Sequence, residues 1–172
     1  MMLDIVTRFP PLEQADAGAV ERLLDAAFGI DRHRRTAYRL RAGLAPIARL
    51  SLAAFDSHGA LVGSLQSWPV MLTTSAGIAV PLTLVGPVAV DPAHQRRGLG
   101  RDMMTQMLAQ ADAIEADPQV LIGDPQYYGR FFGFVADQTG QWELPGPFDR
   151  HRLLARAGGR TLPAEGMLGP RR

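Results

Sequence analysis

The residues Gln95-Arg96-Arg97-Gly98-Leu99-Gly100 have the types and spacing of a phosphate site. They follow the apolar run 84–90 and precede a long amphipathic stretch, so they read as a glycine-bearing loop between a strand and a helix. The first N–H groups of a helix have no partner inside it and can point at phosphate oxygens. The helix dipole favours negative charge at the same end. Gly98 and Gly100 carry no Cβ to hold a ligand off the backbone, and Arg96, Arg97 and Arg101 supply cations that can screen a diphosphate.

Spacing narrows the ligand. A dinucleotide fold needs three glycines directly after the strand and an acid about 20 residues further on. Here Met103 stands in the third glycine's place, and residues 91–97 separate the strand from Gly98. The triphosphate loop is excluded as well, because no Gly-Lys-Ser/Thr occurs and the chain has no lysine. What remains is Gln-x-x-Gly-x-Gly after an Ala-Val-Asp-Pro strand end, which resembles the acetyl-CoA loop of the GNAT superfamily of acyl-CoA-dependent N-acyltransferases. The segment Leu121-Ile122-Gly123-Asp124-Pro125-Gln126-Tyr127-Tyr128-Gly129-Arg130-Phe131-Phe132-Gly133-Phe134 resembles the second half of that fold, where a strand leads into a short helix ending at Gly-Phe. Its Gly-Asp-Pro-x-Tyr-Tyr wording is similar to a bacterial subgroup of predicted acetyltransferases. The specific match covers residues 84–134, and a looser one runs from Ile5 to about Ala157.

The resemblance implies an α/β fold with a mostly antiparallel, centrally splayed sheet and helices on both faces. It implies acetyl-CoA as co-substrate, a primary amine of a small molecule or protein as acceptor, and direct attack in a ternary complex. Gln95, Arg96, Arg97, Gly98, Leu99, Gly100 and Arg101 would hold the pyrophosphate. Pro87 breaks a strand that should not lose a backbone donor in its interior. The family has such a break, so Val88, Ala89 and Val90 would bond the pantetheine amides, one N–H polarising the acetyl carbonyl. A plain edge-strand proline is the other reading.

The family supplies the leaving thiolate's proton from a tyrosine four residues before the glycine of the terminal Gly-Phe. Here that position is Gly129; Tyr128 stands five residues before Gly133, and Tyr127 six. Either the helix carries a bulge that restores the position, or the acid has moved or is absent. Tyr128 is favoured over Tyr127, and packing of both rings is the competing reading. The displacement motivates the rival function, an acyl-CoA sensor of the same fold without turnover. No general base stands out: helix capping accounts for Asp124, and His33, His58, His94 and His151 are scattered without metal-ligand spacing.

The elements that must position these residues are read from period and punctuation. They are a strand at 5–9, a helix capped by Asp16 and ended by Gly29, and a second helix at 32–43. A hairpin of 49–55 and 60–72 turns at Asp56-Ser57-His58-Gly59, and residues 73–77 turn into a strand at 78–90. A helix at 100–116 buries Met103, Met104, Met107, Leu108, Ala111 and Ile114. Strand 120–123, helix 127–132 and strands 142–144 and 150–157 complete the domain, taken as 1–157; the Gly/Pro/Arg-rich 158–172 has no period and reads as a loose tail. Arg32, Arg34, Arg35, Arg39, Arg41 and Arg49 form a basic cluster that, by the resemblance, would border the acceptor entrance and select a negatively charged acceptor. The helical wheel puts Arg32, Arg35 and Arg39 on one side and Arg34 and Arg41 on another, which favours a solvated face.

Composition bounds the rest. The net charge of +1 selects neither nucleic acid nor an anionic membrane. With no cysteine there is no disulfide, catalytic thiol or thiolate metal site. No stretch reaches the ~18 apolar residues of a membrane helix, and Asp4 and Arg8 interrupt a signal sequence, so a cytoplasmic chain is expected. Oligomeric state stays open, a homodimer included.

Overall fold

A computed structural model describes residues 9–172. In chain order they form α1 (Ala17–Phe28), α2 (Thr36–Leu40), β1 (Leu52–Phe55), β2 (Leu61–Thr73), β3 (Ala79–Val90), α3 (Leu99–Ala113), β4 (Gln119–Ile122), α4 (Pro125–Phe132), β5 (Gln141–Glu143), β6 (Leu153–Arg156) and β7 (Glu165–Pro170), with short 3-10 turns between some of them. They fall into two compact units. Unit one holds the described residues up to His33, Pro46–Ser67 and Gly86–Ile114; unit two holds Arg34–Ala45, Trp68–Val85 and Glu115–Arg172.

In unit one, β1 pairs antiparallel with β2, setting Ala53 opposite Ser64 and Ala54 opposite Gly63. The turn between them is made by Asp56, whose carboxylate accepts the N–H groups of His58 and Ala60 at 2.8 and 2.9 Å. Side chains alternate across the strand. On Ala53's face, Val20, Leu23 and Leu24 of α1 pack with Ala53 and Ala89. On the other face α3 lies so close that a Cβ on Gly63 would stand 3.0 Å from Met103 and 3.2 Å from Leu99. Asp16 caps α1 by accepting from Ala19 N–H at 2.9 Å, as expected. The expected methionine stripe is buried, Met103, Met104 and Met107 among it. The helix that carries it stops at Ala113 rather than 116, because Glu115 already has a positive φ of 52°. The expected strand at 5–9 lies, but for Phe9, outside the described residues.

Unit two is a mixed sheet in the order β5-β7-β2-β3-β4-β6. β7 runs antiparallel to β2, and β6 antiparallel to β4. Parallel pairs join β5 to β7 and β3 to β4, the latter at Thr83–Gln119 and Leu84–Val120. Trp68, Val70, Leu72, Leu82, Val120, Trp142 and Leu168 form its core.

Two expectations need correction here. The segment after Gly158 is not a loose tail, since it contributes β7 between β2 and β5. Glycine at 166 serves close approach: a Cβ there would lie 2.9 Å from Leu72 Cγ and from the Thr73 carbonyl oxygen. The helix expected at 32–43 is a 3-10 turn, Arg32–Arg34, followed by the five-residue α2. Side chains of α2 are committed to a distant loop: Thr36 Oγ1 donates to the Pro147 carbonyl and Arg39 Nη1 to that of Pro145 at 2.8 Å. Of the three arginines expected on one solvated side, Arg35 and Arg39 are exposed and Arg32 is not. Arg32, in unit one, is 2% exposed and donates to Glu21 and Asp25 of α1. Arg41, in unit two, is buried, with its guanidinium 3.7 Å from the Tyr38 ring centroid and 4.5 Å from that of Trp68.

Candidate functional site

Unit one brings together every residue expected to hold the cofactor. Val88, Ala89 and Val90 end β3, and Gln95 to Arg101 follow across a short turn. Asp91 builds that turn: its N–H donates to the Val62 carbonyl at 2.8 Å and its carboxylate accepts Ala93 N–H at 2.8 Å. Gln95, Arg96, Arg97 and Gly98 are exposed, whereas Leu99 turns inward and anchors the first turn of α3.

The backbone of this loop is held in uncommon territory. Arg96 has φ 69° and Gly98 φ 76°, so two left-handed residues flank Arg97. A non-glycine residue there is strained, and such strain concentrates at ligand sites. Gly98 is the N-cap residue of α3 and brings no side chain to cap the helix; the first intrahelical bond runs from Asp102 N–H to its carbonyl at 2.9 Å. The first-turn N–H groups thus emerge beside Arg96, Arg97 and Arg101, an arrangement suited to anion binding. The two glycines differ in kind. A Cβ on Gly98 would meet nothing within 4 Å, so its conformation is what calls for glycine; one on Gly100 would stand 3.7 Å from Val88 and 3.6 Å from Val90, ordinary contact. Val88 and Val90 therefore face the start of α3, while Ala89 points to the α1 core. A cavity of about 540 Å³ in the same unit is lined by Phe9, Leu52, Gln106 and Ala109, toward the other end of α3, and is distinct from the loop.

Tyr127 and Tyr128 lie in unit two, on α4. Asp124 caps this helix by accepting from Gln126 N–H at 2.9 Å, and Pro125 takes the first position, as expected. The end of α4 departs from the simple i→i−4 ladder. Gly133 N–H reaches the carbonyls of both Gly129 and Tyr128, and Phe134 N–H donates to Tyr128 at 3.2 Å. Bonds spanning five and six residues mark a widened turn at the C-terminal end of α4.

Tyr128 is hemmed in by rings: Tyr127 edge-on at 5.0 Å, Phe132 at 6.1 Å and Phe134 at 6.3 Å between centroids. Burial pushes its hydroxyl's pKa above the usual tyrosine value; Tyr127 and Asp124 add to this and Arg152 opposes it. Arg152 was not singled out in the sequence, because what ties it to the start of α4 is a bond between distant segments, from Gly123 N–H to the Arg152 carbonyl at 2.9 Å. Among the described residues no cluster of His, Asp and Glu could hold a metal ion, and no helix is long and apolar enough to cross a membrane.

Comparison with known proteins agrees with this geometry. Residues 8–135 match the model of the acetyltransferase (GNAT) domain. An uncharacterized N-acetyltransferase of Streptomyces avermitilis is 33% identical over 56% of this chain, although the match spans only 23% of that protein. YhbS, an uncharacterized N-acetyltransferase of Escherichia coli K12, is 28% identical over 80% of this chain and 82% of its own. The fold of E. coli YhbS in complex with CoA superposes with a TM-score of 0.71 at 23% identity, covering 95% of this chain and 88% of that one. A Brucella melitensis GNAT acetyltransferase in complex with acetyl-CoA gives 0.70 at 26% identity, covering 95% of both chains. A helix N-terminus opened by two left-handed residues, on a chain matched over most of its length, places this protein in the GNAT acetyltransferase family.

Proposed function

We propose that the protein transfers an acetyl group from acetyl-CoA to a primary amine of a small molecule or protein. The observation that carries this reading is the uncapped start of α3, with Arg96 and Gly98 left-handed and three arginines beside it. The pyrophosphate of acetyl-CoA binds the N–H groups of this first turn, and Arg96, Arg97 and Arg101 offset its charge. The amides of the pantetheine arm pair with the backbone of Val88, Ala89 and Val90. That relatives of the same fold hold CoA and acetyl-CoA supports the choice of ligand.

The chemistry then needs no metal. A neutral amine attacks the thioester carbonyl, the N–C bond forms, and charge collects on the carbonyl oxygen. A backbone N–H of the β3 end stabilises that oxyanion. The C–S bond breaks, the amine's surplus proton leaves to water or a base, and the CoA thiolate takes a proton from Tyr128. That hydroxyl is protonated at neutral pH in any case; burial makes it a weaker acid, and Arg152 limits how weak.

The test is CoA release from acetyl-CoA across a panel of primary amines, with hydrolysis subtracted. Tyr128→Phe should lower kcat by roughly 10²–10⁴ with KM for acetyl-CoA little changed. An undiminished kcat in the folded variant removes Tyr128 from the role. Binding without turnover by the unmodified protein would favour the sensor reading.

A further inference from the structure

Gly123 poses a question that backbone conformation does not answer. It lies between β4 and the cap residue Asp124, and it is not among the glycines with positive φ. Any residue could adopt its backbone shape. Space explains it instead: a Cβ built there would run into the Tyr128 ring, colliding with Cε2 and standing 2.8 Å from Cδ2, with Leu121 Cδ1 at 3.1 Å.

The contact follows from how helices carry side chains. They lean toward the helix N-terminus, so the ring of Tyr128, in the first turns of α4, folds back over the segment that leads into the helix. There it meets bare backbone. The ring cannot turn aside cheaply, because Tyr127, Phe132 and Phe134 enclose it and Phe134 is itself 1% exposed. The glycine is also fixed from behind, its N–H donating to the Arg152 carbonyl at 2.9 Å. One backbone bond thus ties the floor under the ring to the residue whose charge acts on its hydroxyl.

We propose that Gly123 is a positioning residue, the floor on which the Tyr128 ring rests, and that the missing side chain at 123 fixes where the Tyr128 hydroxyl is presented. The assignment of a purpose to that hydroxyl rests on the acid role given above; the seat itself does not. A methyl group at 123 lifts the ring, opens its buried face to water and loosens the hydroxyl's placement.

The chain has only three tyrosines, which makes the test direct. The full chain is labelled with 3-fluorotyrosine, and the ¹⁹F line of Tyr128 is assigned by its loss in Tyr128→Phe. In Gly123→Ala that line should shift and its pKa should fall toward the value of an exposed fluorotyrosine, while the Tyr38 line stays in place. An unmoved Tyr128 line and pKa in folded Gly123→Ala overturn the proposal. Urea unfolding supplies the second readout and covers a poorly folding variant. Gly123→Ala should destabilise far less in a Tyr128→Ala background, where the ring is gone, than in the unmodified chain. Equal costs in both backgrounds also overturn it. Should Tyr128→Phe keep full turnover, the acid role falls while these two results still judge the seat.

Discussion

Gly98 and Gly100 look equivalent in sequence, yet the structure gives alanine substitutions at them opposite signs. Gly98 has φ 76°, in the left-handed region, and the space around its Cβ position is open. Alanine there costs about 1–2 kcal/mol of backbone strain with no packing gain. Gly100 lies inside α3 at ordinary φ, and its Cβ would make normal contacts at 3.6 and 3.7 Å with Val90 and Val88. Alanine there recovers about 0.5–1 kcal/mol of helix propensity, toward the lower end so near the terminus. For a chain of 172 residues, at about 2–4 °C per kcal/mol, ligand-free Gly98→Ala should melt about 2–8 °C lower. Gly100→Ala should melt about 1–4 °C higher. Both should bind acetyl-CoA more weakly, Gly98→Ala because the loop no longer holds its shape and Gly100→Ala because a methyl group enters the space next to the pantetheine strand. Differential scanning calorimetry with and without acetyl-CoA measures all four quantities. Equal destabilisation by the two substitutions, or none by Gly98→Ala, would refute the distinction.

Two further perturbations probe other parts of the account. Arg152→Gln removes the cation that opposes the upward shift of the Tyr128 hydroxyl. The residue is exposed, so the effect is screened, and kcat should fall only about two- to fivefold, less at high salt; a salt-independent loss would point to lost packing instead. Ser64 is fully buried on β2, and among the described residues its hydroxyl finds no hydrogen-bond partner. Ser64→Ala should therefore raise stability by about 1 kcal/mol in urea titration, and a decrease would show that the hydroxyl is satisfied in solution.

What could be read from the chain in advance was what is settled within a few residues. Asp16, Asp56 and Asp124 each bond N–H groups two to four positions away, so a helix start, a hairpin turn and a second helix start were visible as local chemistry. The strand–loop–helix around Gly98 was legible for the same reason. β7 was not: Glu-Gly-Met-Leu-Gly-Pro has no alternation of its own and is a strand only because β2 and β5 flank it. The segment at 32–43 misled because its arginines fit a helical wheel while Arg32 is claimed by carboxylates of α1 and Arg39 by the Pro145 carbonyl. The widened turn beneath Phe131 and Phe132 is defined by the bond from Phe134 N–H to the Tyr128 carbonyl, which no local pattern in the sequence displays. The role of Gly123 was hidden too, since its reason is a ring five residues on that only the helix brings back.

Thermal unfolding with acetyl-CoA, with NAD as control, tests the central claim most directly. At a hundredfold excess over Kd, one site should add about 2.7 kcal/mol, a rise of about 5–11 °C for a chain of this size. The account predicts that rise with acetyl-CoA, none with NAD, and a smaller one in Gly98→Ala. No rise at millimolar acetyl-CoA would contradict it and leave the loop a structural feature of the fold.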